Sequence, residues 1–158
     1  IALLQCAVKT NQNVGELIQR CNELHPDDAA FDFVCLDYYF TNGDYEKAHQ
    51  LIDELDKRVG GDPYLGVLHA SAFLAEDNLA AAKDAAKHAL DADPTLPVPY
   101  QVLVAVALQS REYDKGVALL DKARTHSADV KGLEALENYE DFVASPAYRN
   151  WEGSLKDQ

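Results

Sequence analysis

The amino-acid sequence predicts an all-α fold, an α-solenoid in which antiparallel helix pairs stack on one another. Apolar residues recur along the chain with a period of about 34 residues, which is typical of helical-hairpin repeats. Within each repeat these positions are spaced by 3, 4 and 7, so they lie on one face of a helix. Short segments rich in Gly, Asn, Asp and Pro separate the helices at the same interval.

Four columns of residues define the period, and each contains only apolar residues or glycine. Because the same positions satisfy both the repeat period and the helical spacing, two independent patterns predict the second helix of each repeat. The columns are Val14, Ala48, Ala82 and Gly116; Leu17, Leu51, Ala85 and Leu119; Ile18, Ile52, Ala86 and Leu120; and Cys21, Leu55, Ala89 and Ala123.

Turn signals place the helix ends. Turns within hairpins are predicted at 41–44, 76–78 and 110–112, where Gly43 can adopt a positive φ and Asp44 can cap the following helix. Proline-containing segments separate successive hairpins. The resulting organisation is a single domain with a partial repeat at 1–28, full repeats at 29–62, 63–96 and 97–130, and capping helices at 131–158. The first helix of the third full repeat is expected to begin near Pro99, because proline is tolerated only in the first turn.

Beyond the repeats, a helix is predicted over 130–144. Ser145 is then the N-cap of a last helix that has Pro146 at its first position. A stack of repeats needs a terminal element that covers its exposed apolar face. Tyr148 and Trp151 are the expected anchors of this element on the last repeat.

The segment 43–48, with the sequence Gly-Asp-Tyr-Glu-Lys-Ala, resembles the turn between helices in the tetratricopeptide repeat family. Asp93 and Pro94 resemble the end of that family's second helix, and Tyr39 and Phe73 occupy the aromatic position late in its first helix. The resemblance covers about residues 1–128. It implies a right-handed superhelix, about 3.5 repeats long, whose first helices line a concave groove for partners.

The chain departs from that family at the small residue expected in the first helix. Leu36, Ala70 and Val104 occupy this position, facing Ala48, Ala82 and Gly116 on the second helices. Gly116 is expected to make room for Val104. Leu36 against Ala48 is harder to accommodate, so the first hairpin is expected to be splayed.

Charge and composition limit the classes of partner. The net charge is −13, from 27 acidic and 14 basic residues, which counts against nucleic acids and anionic membranes as partners. No apolar run approaches the ~20 residues of a membrane-spanning helix. Three cysteines, Cys6, Cys21 and Cys35, without CxxC spacing are expected to be buried free thiols, in keeping with a cytoplasmic location.

The sequence contains no motif for catalysis. Nucleophile-elbow, phosphate-loop and HExxH patterns are absent, and no two of the five histidines are spaced to hold a metal. His69 shares a column with Cys35 and Leu103, so a role in the interior or the groove is expected for it. The interpretation is a protein that is not an enzyme and needs no cofactor or metal.

The resemblance assigns a partner-binding stripe to the first helices. This groove is apolar and aromatic and lacks the basic clamp with which some family members hold an acidic chaperone tail, so a peptide or an amphipathic helix is the expected ligand. Alternatives are a structural role, with the groove buried between copies of the chain or by segments of the same protein, and an accessory domain of a larger protein. The predicted stripe consists of Ala30, Phe33, Asp37 and Phe40, then Tyr64, Val67, Ser71 and Leu74, then Val98, Gln101, Ala105 and Leu108.

Overall fold

Helices account for all the regular structure in the described part of the chain, residues 15–18, 24 and 29–156 of a computed structural model. The chain divides into two units, Ile1–Gly61 and Asp62–Gln158. The first contains α1 (Ala29–Asn42) and α2 (Tyr45–Val59). The second contains α3 (Pro63–Ala75), α4 (Leu79–Ala92), α5 (Pro97–Gln109), α6 (Tyr113–Thr125), a 3-10 turn (Leu133–Ala135), α7 (Tyr139–Ala144) and α8 (Pro146–Lys156). The all-α prediction is thus confirmed for the described residues.

In the first unit, α1 packs against α2 around a small apolar core. Phe31 and Cys35 on α1 are buried together with Ile18. The carboxylate of Asp32, which is buried, forms an ion pair with Arg58 on α2 and joins the two helices near the end of the hairpin. Leu36 and Ala48, the pair expected to splay this hairpin, are both buried. Cys35 is a buried free thiol as predicted, whereas Cys6 and Cys21 lie outside the described residues.

In the second unit each helix from α3 to α5 packs against the next one along the chain. α3 contacts α4, α4 contacts α5, and α5 contacts α6, while α3 also contacts α5. Alanines at the α3–α4 interface allow close approach: Ala70, Ala82 and Ala86 are completely buried. Their core continues through Tyr100 and Leu103 of α5. No helix in the described ranges is long and apolar enough to cross a bilayer.

Burial follows the repeat period found in the sequence. Three of the four columns are buried at every described position, and the remaining column is half-buried throughout. The buried sets are Ala48, Ala82 and Gly116; Ile18, Ile52, Ala86 and Leu120; and Leu55, Ala89 and Ala123. Val14 and Cys21, at the head of two columns, lie outside the described residues.

The turns within the hairpins also repeat, in their backbone conformation. Gly43, Asp77 and Arg111, which occupy the same position in successive repeats, have φ of 69°, 60° and 55°. The next amide in each turn donates to a carbonyl at the end of the preceding helix: Asp44 to Tyr39 at 2.9 Å, Asn78 to Phe73 at 2.9 Å, and Glu112 to Ala107 at 2.8 Å. These bonds satisfy carbonyls left open at the end of each first helix. The predicted positive φ at Gly43 is confirmed.

Capping differs among these turns. Asp44 precedes α2 but its side chain makes no capping hydrogen bond. Its Oδ2 instead lies 2.5 Å from the ammonium of Lys47, so the predicted cap is replaced by an ion pair. Asn78 does cap α4, with Oδ1 accepting from the amide of Ala81 at 3.3 Å.

Helix α5 begins at Pro97 and not near Pro99 as the sequence suggested. Both prolines therefore fall within the first turn. Amides there have no partner inside the helix, so neither ring removes a helical hydrogen bond. The predicted start near Pro99 was wrong because it left Pro97 outside the helix, whereas the first turn can contain both prolines.

The predicted helix over 130–144 is wrong in its length. The segment forms the 3-10 turn and then the short α7, because Gly132 and Asn138 adopt φ of 70° and 60° and interrupt the helical path. The prediction for the following helix is confirmed: α8 begins at Pro146, and the Ser145 hydroxyl accepts from the amide of Tyr148 at 3.2 Å.

The C-terminal helices pack on α5 and α6 through an aromatic cluster. Phe142 is completely buried and its ring centroid lies 5.0 Å from that of Tyr148, which in turn lies 5.5 Å from that of Trp151. Tyr148 and Trp151 thus pack where they were expected to anchor. Gly116 makes room for Phe142 and Leu108, because a Cβ there would lie 3.1 Å from Cε2 of Phe142 and 3.3 Å from Cδ1 of Leu108; Val104 is not among its three nearest contacts.

Candidate functional site

The predicted stripe on α1 is largely open to solvent. Phe33 is 47% exposed, Asp37 is exposed, and Phe40 is half-buried. The Phe40 ring meets that of Tyr45 edge to face at 6.2 Å, which fixes it beside the turn. The side chain of Ala30 lies outside the described set. This part of the stripe presents an apolar ring next to a carboxylate.

On α3 the predicted stripe is only partly accessible. Tyr64 is 53% exposed. Ser71 and Leu74 are half-buried, the first donating its hydroxyl to the carbonyl of Val67 at 2.9 Å and the second packing on the core. The side chain of Val67 itself is buried. Val67 therefore belongs to the interior, and Tyr64 is the main open feature of this helix.

On α5 the stripe is covered. Ala105 and Leu108 are buried, so they belong to the core and not to an open groove. The segment after α6 lies over this face: a Cβ at Gly132 would be 3.3 Å from Nε2 of Gln101. Val98 packs on the same core and is, like Gln101, half-buried. Sequence periodicity cannot reveal this cover, because it depends on where the C-terminal segment packs.

A second surface, which the sequence analysis missed, is a pocket of about 320 Å³ between α4, α5 and α6. Its floor is apolar, and all of its residues lie in the second unit. The floor consists of Leu103, Val106, Ala107 and Leu119, and Ala118 lines the exposed side. The charged lining residues are Lys83, Lys87, Lys115, Lys122 and Glu112.

The lysines converge on this pocket through helical spacing. Lys83 and Lys87 are one turn apart on α4, and Lys115 and Lys122 are two turns apart on α6, so each pair projects from one face of its helix. Their exposed ammonium groups leave the apolar stems against the pocket. Lys115 is paired with Glu112 at 2.5 Å, whereas Lys83, Lys87 and Lys122 form no ion pair with the described residues. The spacing was readable from the sequence, but the convergence of two helices was not.

A smaller pocket of about 160 Å³ lies between α1 and α2 and includes Cys35, Tyr39 and Lys47. Burial and, to a lesser degree, the neighbouring Cys35 raise the pKa of the Tyr39 hydroxyl, while Lys47 opposes this shift. The Lys47 ammonium lies 5.7 Å from the centre of the Tyr39 ring, a cation–π contact. The Tyr39 ring and the Lys47 ammonium therefore have partners within the hairpin itself.

His69 is half-buried and stacks on Phe73 with ring centroids 6.1 Å apart. Within the described residues, no three His, Cys, Asp or Glu side chains come together in a way that could hold a metal ion.

Comparison of the chain with protein-family models, with curated proteins and with solved structures gives no match.

Proposed function

We propose that this protein is a tetratricopeptide-like scaffold that binds a peptide or an amphipathic helix through the stripe on its first helices. The observation that carries the proposal is the location of the exposed apolar side chains. Four large hydrophobic residues of the described chain are exposed, and two of them, Phe33 and Tyr64, lie on that stripe. Exposed aromatic side chains are frequent anchors of protein interfaces.

The repeat supports the same proposal. Burial and turn geometry recur with the period of the sequence, and in the second unit α3 contacts α5, as successive first helices of a solenoid do. The C-terminal segment covers the stripe residues of α5, whereas α1 in the first unit and α3 in the second each keep an exposed aromatic side chain of the stripe.

The negative charge of the protein limits the kind of peptide that can bind the stripe. Asp37 is exposed on the same helix as Phe33, and the chain as a whole carries a net charge of −13. A ligand with an apolar helix face flanked by Lys or Arg would complement both features.

Selection from a displayed library of random peptides, each long enough for about four helical turns, tests this proposal. Selected peptides should carry apolar residues at helical spacing together with basic residues. Phe33→Glu combined with Tyr64→Glu should weaken binding of a selected peptide at least tenfold, measured by fluorescence anisotropy, because each change places a charge in an apolar contact.

Val59→Glu is the matched control, because Val59 is 56% exposed but lies on α2 and is not a member of the stripe. It should leave peptide affinity unchanged. Equal binding by the double variant and the wild type would contradict the proposal. Sedimentation of the wild type as a dimer, with the double variant a monomer, would favour the structural alternative in which two copies bury the stripe.

A further inference from the structure

We propose that the pocket between α4, α5 and α6 is a binding site for a small aliphatic carboxylate, with the hydrocarbon on the apolar floor and the carboxylate among the lysines. This site is separate from the stripe on the first helices and does not depend on the function proposed for it. Size, floor chemistry and charge each limit the occupant.

The size of the pocket favours a small molecule. Its volume of about 320 Å³ lies at the lower end of the range for ligand sites, about 300–1,000 Å³. It equals the liquid volume of roughly ten water molecules. One turn of an α-helix, about 10 Å wide and about 5.4 Å long, fills about 400 Å³ and is larger than this volume. A chain of about eight to ten heavy atoms is smaller than it.

The floor favours hydrocarbon. Leu103 and Ala107 of α5 are buried, and Val106 and Leu119 are half-buried, so the base of the pocket is formed by aliphatic carbon. Burial of an alkyl chain there would gain free energy with the apolar area removed from water.

The charge favours an anion. Acidic residues outnumber basic ones by 27 to 14 in the whole chain, yet four of the five charged side chains at the pocket are lysines. Glu112 compensates Lys115, which leaves Lys83, Lys87 and Lys122 to face a ligand. These ammonium groups stand beside the apolar floor, so a single ligand can contact both with its carboxylate and its hydrocarbon.

Octanoate is a suitable probe, compared with 1-octanol and with acetate in a titration followed by ¹⁵N-resolved NMR of the full chain. Octanoate should bind with a dissociation constant of about 0.3–3 mM, as expected of so small a ligand. The chemical-shift changes that octanoate causes should concentrate on the amides of residues 83–87, 103–107 and 115–122. Octanol, which lacks the charge, and acetate, which lacks the chain, should each bind at least fivefold more weakly.

Two variants test the assignment without disturbing the core. Lys87→Gln with Lys122→Gln should weaken octanoate binding about three- to tenfold, since exposed charge pairs each contribute a modest factor. The matched control is Lys57→Gln with Lys131→Gln, which changes the net charge equally at two exposed lysines outside the pocket. Ala118→Phe should abolish binding by filling the pocket from its exposed side, while Ala80→Phe, at an exposed position of α4 outside the lining, should not.

Equal binding of octanol and octanoate, or shift changes that map elsewhere on the chain, would overturn the proposal. So would unchanged octanoate affinity in both the lysine variant and Ala118→Phe. Sedimentation of the protein with phosphatidylglycerol vesicles at physiological ionic strength, lost in the Lys87→Gln and Lys122→Gln variant, would assign the lysines to a membrane surface and contradict a site for the free acid.

Discussion

Tyr100 is the largest completely buried side chain of the described chain, and its hydroxyl is satisfied by a single loop carbonyl. The hydroxyl donates to the carbonyl of Pro94 at 3.1 Å, which joins the first turn of α5 to the loop after α4. Burial raises the pKa of this hydroxyl, so it stays protonated, and hence a donor, throughout the physiological range. In the same loop, Oδ1 of Asp93 accepts a hydrogen bond from the amide of Thr95 at 2.9 Å.

Tyr100→Phe should therefore lower the free energy of unfolding by about 1 kcal/mol, because it removes the hydrogen bond and leaves the Pro94 carbonyl unpaired. For a chain of this size the melting temperature should fall by about 2–4 °C. Thermal unfolding followed by circular dichroism measures this. Tyr64→Phe is the control, since the Tyr64 side chain is 53% exposed, and it should leave the melting temperature unchanged. An equal loss in both variants would show that the Pro94 bond is not responsible.

At the scale of the elements, the C-terminal helices depend on one aromatic ring. Phe142 of α7 touches the glycine position of α6 and lies 5.9 Å from the ring of Tyr113 and 5.0 Å from that of Tyr148. It therefore joins α6, α7 and α8. Neither its burial nor its glycine partner could be predicted from helical spacing, because the positive φ of Gly132 and Asn138 interrupts the predicted 130–144 helix before Phe142.

Phe142→Ala should cost about 3–5 kcal/mol of stability, the usual range for removing a buried aromatic ring. Hydrogen exchange should then accelerate in α7 and α8 more than in α3 and α4, which lie in a different part of the core. Phe33→Ala provides the comparison: the same residue change at a side chain that is 47% exposed should alter stability by less than about 0.5 kcal/mol. Uniform acceleration across the second unit would contradict a local role for Phe142.

The helices also show how much of the structure could be predicted from the sequence. The repeat period predicted which faces of the second helices are buried, because those faces pack on the adjacent helices and recur with the residue spacing. The accessible surface was harder to predict. Leu108 is buried because the C-terminal segment, from beyond the end of α6, packs over α5. Lys87 and Lys122 line one pocket because α4 and α6 both border α5 there.

At the scale of the whole molecule, the net charge of −13 opposes the folded state, because like charges lie closer together there than in the unfolded chain. Raising NaCl from about 10 to about 150 mM shortens the screening length from about 30 to about 8 Å. The melting temperature should therefore rise by a few degrees, and KCl should have the same effect if screening is the cause. A fall in melting temperature would indicate that ion pairs such as Asp32–Arg58 outweigh the repulsion. Octanoate binding should respond in the opposite direction and weaken with salt.

The glycine under Phe142 has a consequence for how a repetitive chain finds its correct alignment. Helical repeats of equal length present similar faces, so a terminal segment can dock on the equivalent face of a preceding repeat and form a misfolded state. The positions equivalent to Gly116 are Ala82 and Ala48, and both carry the Cβ that would press on the Phe142 ring at 3.1 Å. At either position the Phe142 ring would have to shift by a few tenths of an ångström, so the missing Cβ of Gly116 favours docking of the C-terminal helices on α6.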